Sequence, residues 1–142
     1  MQFIQIARDK LKTIYVSSPS MFQIIAGRTR EGNDRILTDF MSPEHIRKCY
    51  WYHVANDTSS HVILYNNIET VPSLNNYLLA TKWIRQNLYK PTTKSGEQSQ
   101  IMIARLLDVS KTSTLGLVHV KGESIVGSNK WEQVFIDNEN NI

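Results

Sequence analysis

Thr70 to Pro91, TVPSLNNYLLATKWIRQNLYKP, reads as one buried amphipathic helix around which the chain is organised. Ser73 stands at the N-cap, where its hydroxyl can accept from an otherwise unpaired backbone N–H. Pro91 stops the helix, because proline disfavours helical geometry in the residue before it. At roughly 100° per residue, Leu74, Tyr77, Leu78, Thr81, Ile84 and Leu88 share a face suited to packing on a core. Leu79 and Trp83 form a second apolar pair on the opposite side, which another part of the chain or another subunit must cover. Arg85 projects into the main stripe, where a permanent charge must reach water, pair with a carboxylate or face an anion.

The totals bound the rest. With 142 residues and 41% hydrophobic content, the chain can bury one core, so residues 1–142 are expected to form a single domain. A net charge of +3 describes a mildly basic surface, compatible with a polyanionic partner without requiring one. Cys49 is the one cysteine, which excludes an intrachain disulfide and a zinc site built from several thiolates. The N-terminal MQFIQIARDKLK is broken by charge and no apolar run approaches membrane-spanning length. The expectation is therefore a cytoplasmic protein without a membrane partner. Frequent isoleucine and asparagine fit A+T-rich coding, as in a phage, a mobile element or a low-GC bacterium.

Before the organising helix, Phe3, Ile4, Ala7, Leu11 and Ile14 are spaced for a helix, although alternation at Met1, Phe3 and Gln5 also allows a strand. MFQIIAGR (21–28) and RILTDFM (35–41) flank Glu31-Gly32-Asn33-Asp34 and read as a hairpin. Its tip carries Arg28, Arg30 and Arg35, either a solvated mixed-charge loop or a basic finger for phosphate. Ser42-Pro43-Glu44 reads as a helix start, followed by Ile46, Cys49, Tyr50, His53 and Val54 on one helical face. HVILY (61–65) reads as a short central strand.

After the helix, residues 90–100 lack large apolar side chains and are expected to be a flexible surface loop. Residues 101–109 read as a strand or a short helix, 114–121 as a strand, 125–126 as the start of its return, and WEQVFI (131–136) as a final strand. A polar tail follows from Asp137. Irregular alternation of helices and strands, with two hairpins, points to the α+β class. The expected architecture is a mostly antiparallel sheet with two or three helices packed on one face.

Of the four histidines, His53, His61 and His119 stand in His-Val dipeptides. His61 and His119, brought together with Lys121 beside them, would suit a metal-independent phosphodiesterase. Neither is followed two positions on by Ser or Thr, and His53 reads as a hydrogen-bonded core residue. No Walker A loop, GxGxxG, HExxH, EF-hand loop or Gly-x-Ser-x-Gly elbow occurs, so no cofactor, metal or catalytic residue is assigned. Cations interleave with aromatics at Lys82, Trp83, Arg85, Tyr89, Lys90 and Lys94, and again at Arg47, Lys48, Tyr50, Trp51 and Tyr52. Trp and Tyr can stack bases while Lys and Arg hold phosphate. The expected function is thus non-catalytic binding of nucleic acid or a nucleotide-like anion through Lys82, Arg85, Tyr89, Lys90, Arg47, Lys48 and Trp51. The alternative is a homo-oligomeric interaction factor with Leu79 and Trp83 at its interface, and the phosphodiesterase ranks third.

Overall fold

Two apolar stripes on one sheet explain the architecture. In the computed structural model, which describes residues 1–55, 59–89, 100–121, 125–126 and 134–136, seven strands form one antiparallel sheet. These are β1 (Gln2–Arg8), β2 (Lys12–Ser18), β3 (Phe22–Gly27), β4 (Cys49–Val54), β5 (Val62–Asn66), β6 (Ile101–Arg105) and β9 (Ile125–Val126). Their spatial order is β1-β2-β3-β5-β4-β6-β9. A separate ribbon pairs β7 (Val109–Lys111) with β8 (Val118–Val120). Two longer helices among the described residues pack on the sheet, α1 (Arg30–Phe40) and α2 (Leu74–Leu88).

The class is α+β with an antiparallel sheet, as the sequence indicates. The helices, however, do not share one face. Tyr77, Ala80 and Ile84 of α2 pack with Phe22, Ile24, Tyr50, Tyr52, Val62 and Leu64, joined by Phe135 of the helical residues 134–136. Ile36 and Leu37 of α1 pack with the residues that alternate with those, Ile25, Cys49, Trp51 and Ile63. Neighbours along a strand point to opposite faces, so the two helices cover opposite sides of the sheet. With both faces covered, Cys49-Tyr50-Trp51-Tyr52 is buried without a break.

That burial overturns the helix expected after Ser42. An uninterrupted apolar run fits helical spacing and a doubly covered strand equally well. Here Ile46–Lys48 is a single 3-10 turn and β4 begins at Cys49. The hairpin expected over 21–41 is also corrected: β3 leads into α1. Thr29 caps that helix by accepting from the Gly32 N–H at 2.9 Å. At the N-terminus the alternation prevails, giving β1 and β2, and residues 101–109 divide into β6, a 3-10 turn (Leu106–Asp108) and β7. The return at 125–126 pairs with β6 rather than with β8. Residues 134–136 are helical rather than extended, while 131–133, residues 90–99 of the loop expected over 90–100, and the polar tail lie outside the described residues.

α2 itself runs as the sequence predicts. Ser73 accepts from the Asn76 N–H at 3.2 Å, and Tyr77, Ala80, Thr81, Ile84 and Arg85 are buried. Its second apolar side is covered from within the chain: the Trp83 ring centre lies 4.8 Å from Phe3 and 4.9 Å from Tyr15, on the β1–β2 hairpin. Leu79 stays exposed. The lone thiol, Cys49, is buried, which pushes its pKa up to about 12. No helix among the described residues is long and apolar enough to cross a membrane.

Since Trp83 clamps the hairpin to α2 while only half-buried, Trp83→Ala should cost about 2–3 kcal/mol, somewhat less than losing a fully buried aromatic side chain. Hydrogen exchange should then quicken in residues 2–18 while β4 and β5 stay protected. Unchanged protection of the hairpin would show that this contact does not anchor it.

Candidate functional site

The residues singled out from sequence do not gather into one surface. Arg47 and Lys48 sit in the 3-10 turn before β4, with Arg47 exposed. Trp51 is buried on the α1 side of the sheet, whereas Lys82, Arg85 and Tyr89 belong to α2 and its C-cap on the other side. Lys82 is exposed and Arg85 is buried, its pKa drawn below the ordinary value by desolvation. Lys90 lies outside the described residues. The Tyr89 hydroxyl is 2.7 Å from the Ser60 carbonyl and 3.1 Å from that of Tyr52, so its proton ties the end of α2 to β4 and to the segment before β5. Burial raises its pKa well above the usual phenol value.

The histidines are likewise distributed. His119 is exposed on the β7–β8 ribbon, and His61 is buried just before β5 in the main sheet, so they are not a pair. His45 Nδ1 lies 2.9 Å from Ser42 Oγ and its ring packs on Phe40 and Tyr65. The neighbour of His61 is His53, with ring centres 5.0 Å apart.

What the fold does converge on is the start of α1. Gly27 N–H donates to the His61 carbonyl at 2.9 Å, and Arg28 N–H to the Leu11 carbonyl at 2.8 Å. Asn33 reaches back from the first turn of α1, and its Oδ1 accepts from the His61 N–H at 3.0 Å. That crossing needs a bare Gly27, since a methyl there would overlap the Asn33 amide oxygen and lie 2.9 Å from the Asn33 backbone nitrogen. Gly32 is equally constrained: a methyl would overlap the Leu11 carbonyl oxygen and lie 2.8 Å from its carbon. The two glycines therefore let α1 touch the β1–β2 turn and the entrance to β5 together. Asp9 secures the turn by accepting from the Leu11 and Lys12 N–H groups at 2.7 and 2.8 Å. Those two bonds, Lys12 first, hold its carboxyl below the usual pKa. The Arg28 guanidinium donates to the Asp9 carbonyl.

An open cleft of about 730 Å³ lies beside this junction, lined by Asp9, Lys10, Leu11, Thr29, Arg30, Glu31 and Leu115. Lys10 comes from the β1–β2 turn and Arg30 from the first residue of α1. Leu115 comes from the loop between β7 and β8, which turns at Gly116 with φ of 79° close to Arg30. Lys111 fixes the ribbon against α1 by donating to Asp34 at 3.1 Å and to Thr38 Oγ1. The Asp9 carboxylate is occupied with backbone N–H groups and Glu31 balances part of the cationic charge. Positive backbone N–H groups at the helix start add to the attraction for an anion.

On the other side of Asn33 lies a group of rings. Trp51 and His53 stack at 5.6 Å with planes 4° apart, while His61 meets Trp51 at 5.3 Å and 90°. Trp51 Nε1 and His61 Nδ1 are both buried without a hydrogen-bond partner. Burial, and secondarily the charge of His53, lowers the His61 pKa from 6.5 to about 4. Sequence reading noted the cations of residues 28–35, but Lys10 and Leu115 reach the cleft only through the tertiary fold. The meeting of His53 with His61 follows only once residues 49–54 are assigned as a strand.

No protein-family model matches the chain, and no curated protein matches it in sequence. Among solved structures it is similar to the C-terminal of the fibronectin/fibrinogen-binding protein from Streptococcus suis (FBPS), with a TM-score of 0.59 over 87% of this chain. The two share a fold. Identity is 16%, and the match covers 47% of the streptococcal chain, so this chain spans about half of that length.

Two expected outcomes follow from the junction. Gly27→Ala should destabilise the domain by about 1–3 kcal/mol, the usual range for forcing an extra methyl into a packed site, as a lowered urea midpoint would report. A neutral substitution would mean that Asn33 can yield freely. For His61, the folded state binds fewer protons than the unfolded chain between pH 6.5 and about 4. Its contribution is therefore complete above pH 6.5 and declines as pH falls towards 4, by about 3 kcal/mol. Unfolding free energies from pH 7 to 4 should show a shallower decline for His61→Gln than for the wild type, and parallel curves would contradict this.

Proposed function

We propose that the domain binds nucleic acid or a nucleotide-like anion, without catalysis, in the cleft at the start of α1. The observation that carries this reading is the placement of Lys10 and Arg30 on one open cleft beside the capped, electropositive end of a helix. Leu11 and Leu115 offer apolar surface against which a base or sugar can lie. The volume falls within the range of small-molecule sites, which suits one nucleotide unit rather than a duplex groove. Arg28, exposed beside the same turn, extends the cationic surface along which a strand could continue. Lys82, on the opposite side of the sheet, is outside this surface.

Fluorescence anisotropy with single-stranded DNA and RNA oligonucleotides across a salt series tests the reading. Affinity should fall as salt rises because bound phosphate releases counterions. Arg30→Ala and Lys10→Ala should each weaken binding about 5-fold to 10-fold and reduce the salt slope by about 1. Lys82→Ala should change neither. Salt-independent binding, or undiminished affinity in Arg30→Ala, would defeat the proposal.

A second reading, protein docking, is favoured by one observation. β1 is an edge of the sheet, and Ile4 and Ile6 stand 62% and 57% exposed on it. An unpaired edge strand can accept a strand from a partner or a second copy. The streptococcal neighbour is named for binding fibronectin and fibrinogen. With Trp83 engaged by Phe3 and Tyr15, a homo-oligomer would rest on this edge more readily than on Leu79. Self-association lost in Ile6→Lys, together with no affinity for oligonucleotides, would place this reading first.

A further inference from the structure

The ring cluster behind Asn33 lies outside the cleft and has its own chemistry. β4 and β5 are antiparallel with Tyr52 opposite Val62. One more step along that register sets His53 opposite His61. Directly opposed residues in such a pair project to the same face with Cβ atoms about 5 Å apart. The two rings meet at 5.0 Å with planes 86° apart. His61 is 3% exposed, and its Nδ1 has no hydrogen-bond partner. A buried polar nitrogen without a partner calls for an explanation, and a bound ion is among the recognised ones.

We propose that His53 and His61 form a two-imidazole chelate for a late first-row divalent ion: Zn²⁺, Ni²⁺ or Cu²⁺. Imidazole nitrogen suits these ions. With metal–nitrogen bonds of about 2.0–2.1 Å and ring centres roughly 1 Å beyond, two imidazoles on a tetrahedral ion have centres about 5 Å apart. The observed separation meets that requirement before any movement of the strands. Trp51 stacked on His53 restrains one ring, and the Asn33 bond to the His61 N–H fixes the backbone carrying the other. His53 is half-buried, which gives an ion an approach from solvent. Among the described residues, no three His, Cys, Asp or Glu side chains converge on a metal position. Among the described residues the chelate has two protein ligands, His53 and His61, and water can occupy the remaining positions on the ion. This site does not depend on anion binding in the cleft.

The test uses the full chain, stripped with EDTA, dialysed and titrated with each of the three ions. Its melting temperature should rise by about 5–10 °C when the ion is roughly 100-fold above its Kd, with Cu²⁺ binding tightest. His53→Ala should remove the rise, whereas His45→Ala and His119→Ala should retain it. Because replacing the core residue His61 can itself unfold the domain, His53→Ala carries the mutational test. Electron paramagnetic resonance of the Cu²⁺ complex supplies the second readout, with coupling to two imidazole nitrogens in the wild type and fewer in that variant. No thermal shift with any ion would overturn the proposal. So would a shift that survives His53→Ala, or a Cu²⁺ spectrum with one nitrogen or none.

Discussion

Burial of the central strands on both faces is the constraint from which the rest follows. β3, β5 and β4 carry large apolar residues on each side, with Ile24, Leu64, Tyr50 and Tyr52 facing α2 and Ile25, Ile63, Trp51 and Cys49 facing α1. Neither set can be left in water: each large side chain contributes about 1.5–3 kcal/mol on full burial. Each face therefore requires its own cover, and the chain supplies one helix to each. Within the α2 face the buried Tyr52 and Thr81 hydroxyls satisfy each other, 2.8 Å apart.

The same constraint places the chemistry. To cover its face, α1 must start directly after β3, and Thr29, Gly32 and Asn33 convert that abrupt start into contacts with two other segments. The cleft and the ring cluster lie on either side of this start. Cationic side chains stand at the solvent side, at Lys10 and Arg30, while imidazole and indole lie inward at His61 and Trp51. On the α2 face, Arg85 and Tyr89 are buried and Lys82 is exposed.

Legibility from sequence depended on whether local signals had one meaning. α2 was readable because cap, period and terminating proline agreed, and HVILY because a short apolar run between polar loops fits a central strand. β4 was not, since residues buried on both sides lose the alternation that distinguishes strand from helix. Gly32-Asn33 resembles a turn from any local viewpoint; its actual roles are with Leu11 and His61, which are distant in sequence. Much the same holds for the site. Arg28, Arg30 and Arg35 stood out as a basic group, but the cleft that engages Arg30 is assembled from the β1–β2 turn and the β7–β8 loop. The aromatic members of the clusters around residues 47–52 and 82–89 serve two separate cores, a division that local spacing does not reveal.

The packing of Phe3 and Tyr15 on Trp83 has a kinetic consequence. These partners are separated by about 80 and 68 positions in the chain, so closing the contact requires a large loop to be ordered first. During synthesis, the β1–β2 hairpin emerges long before its cover exists. Until α2 is made, the ring of Phe3 and an unpaired strand edge face water together, a combination that favours association between nascent chains. This hairpin is thus completed by a helix made well after it, and the interval between them is when the two strands most need protection.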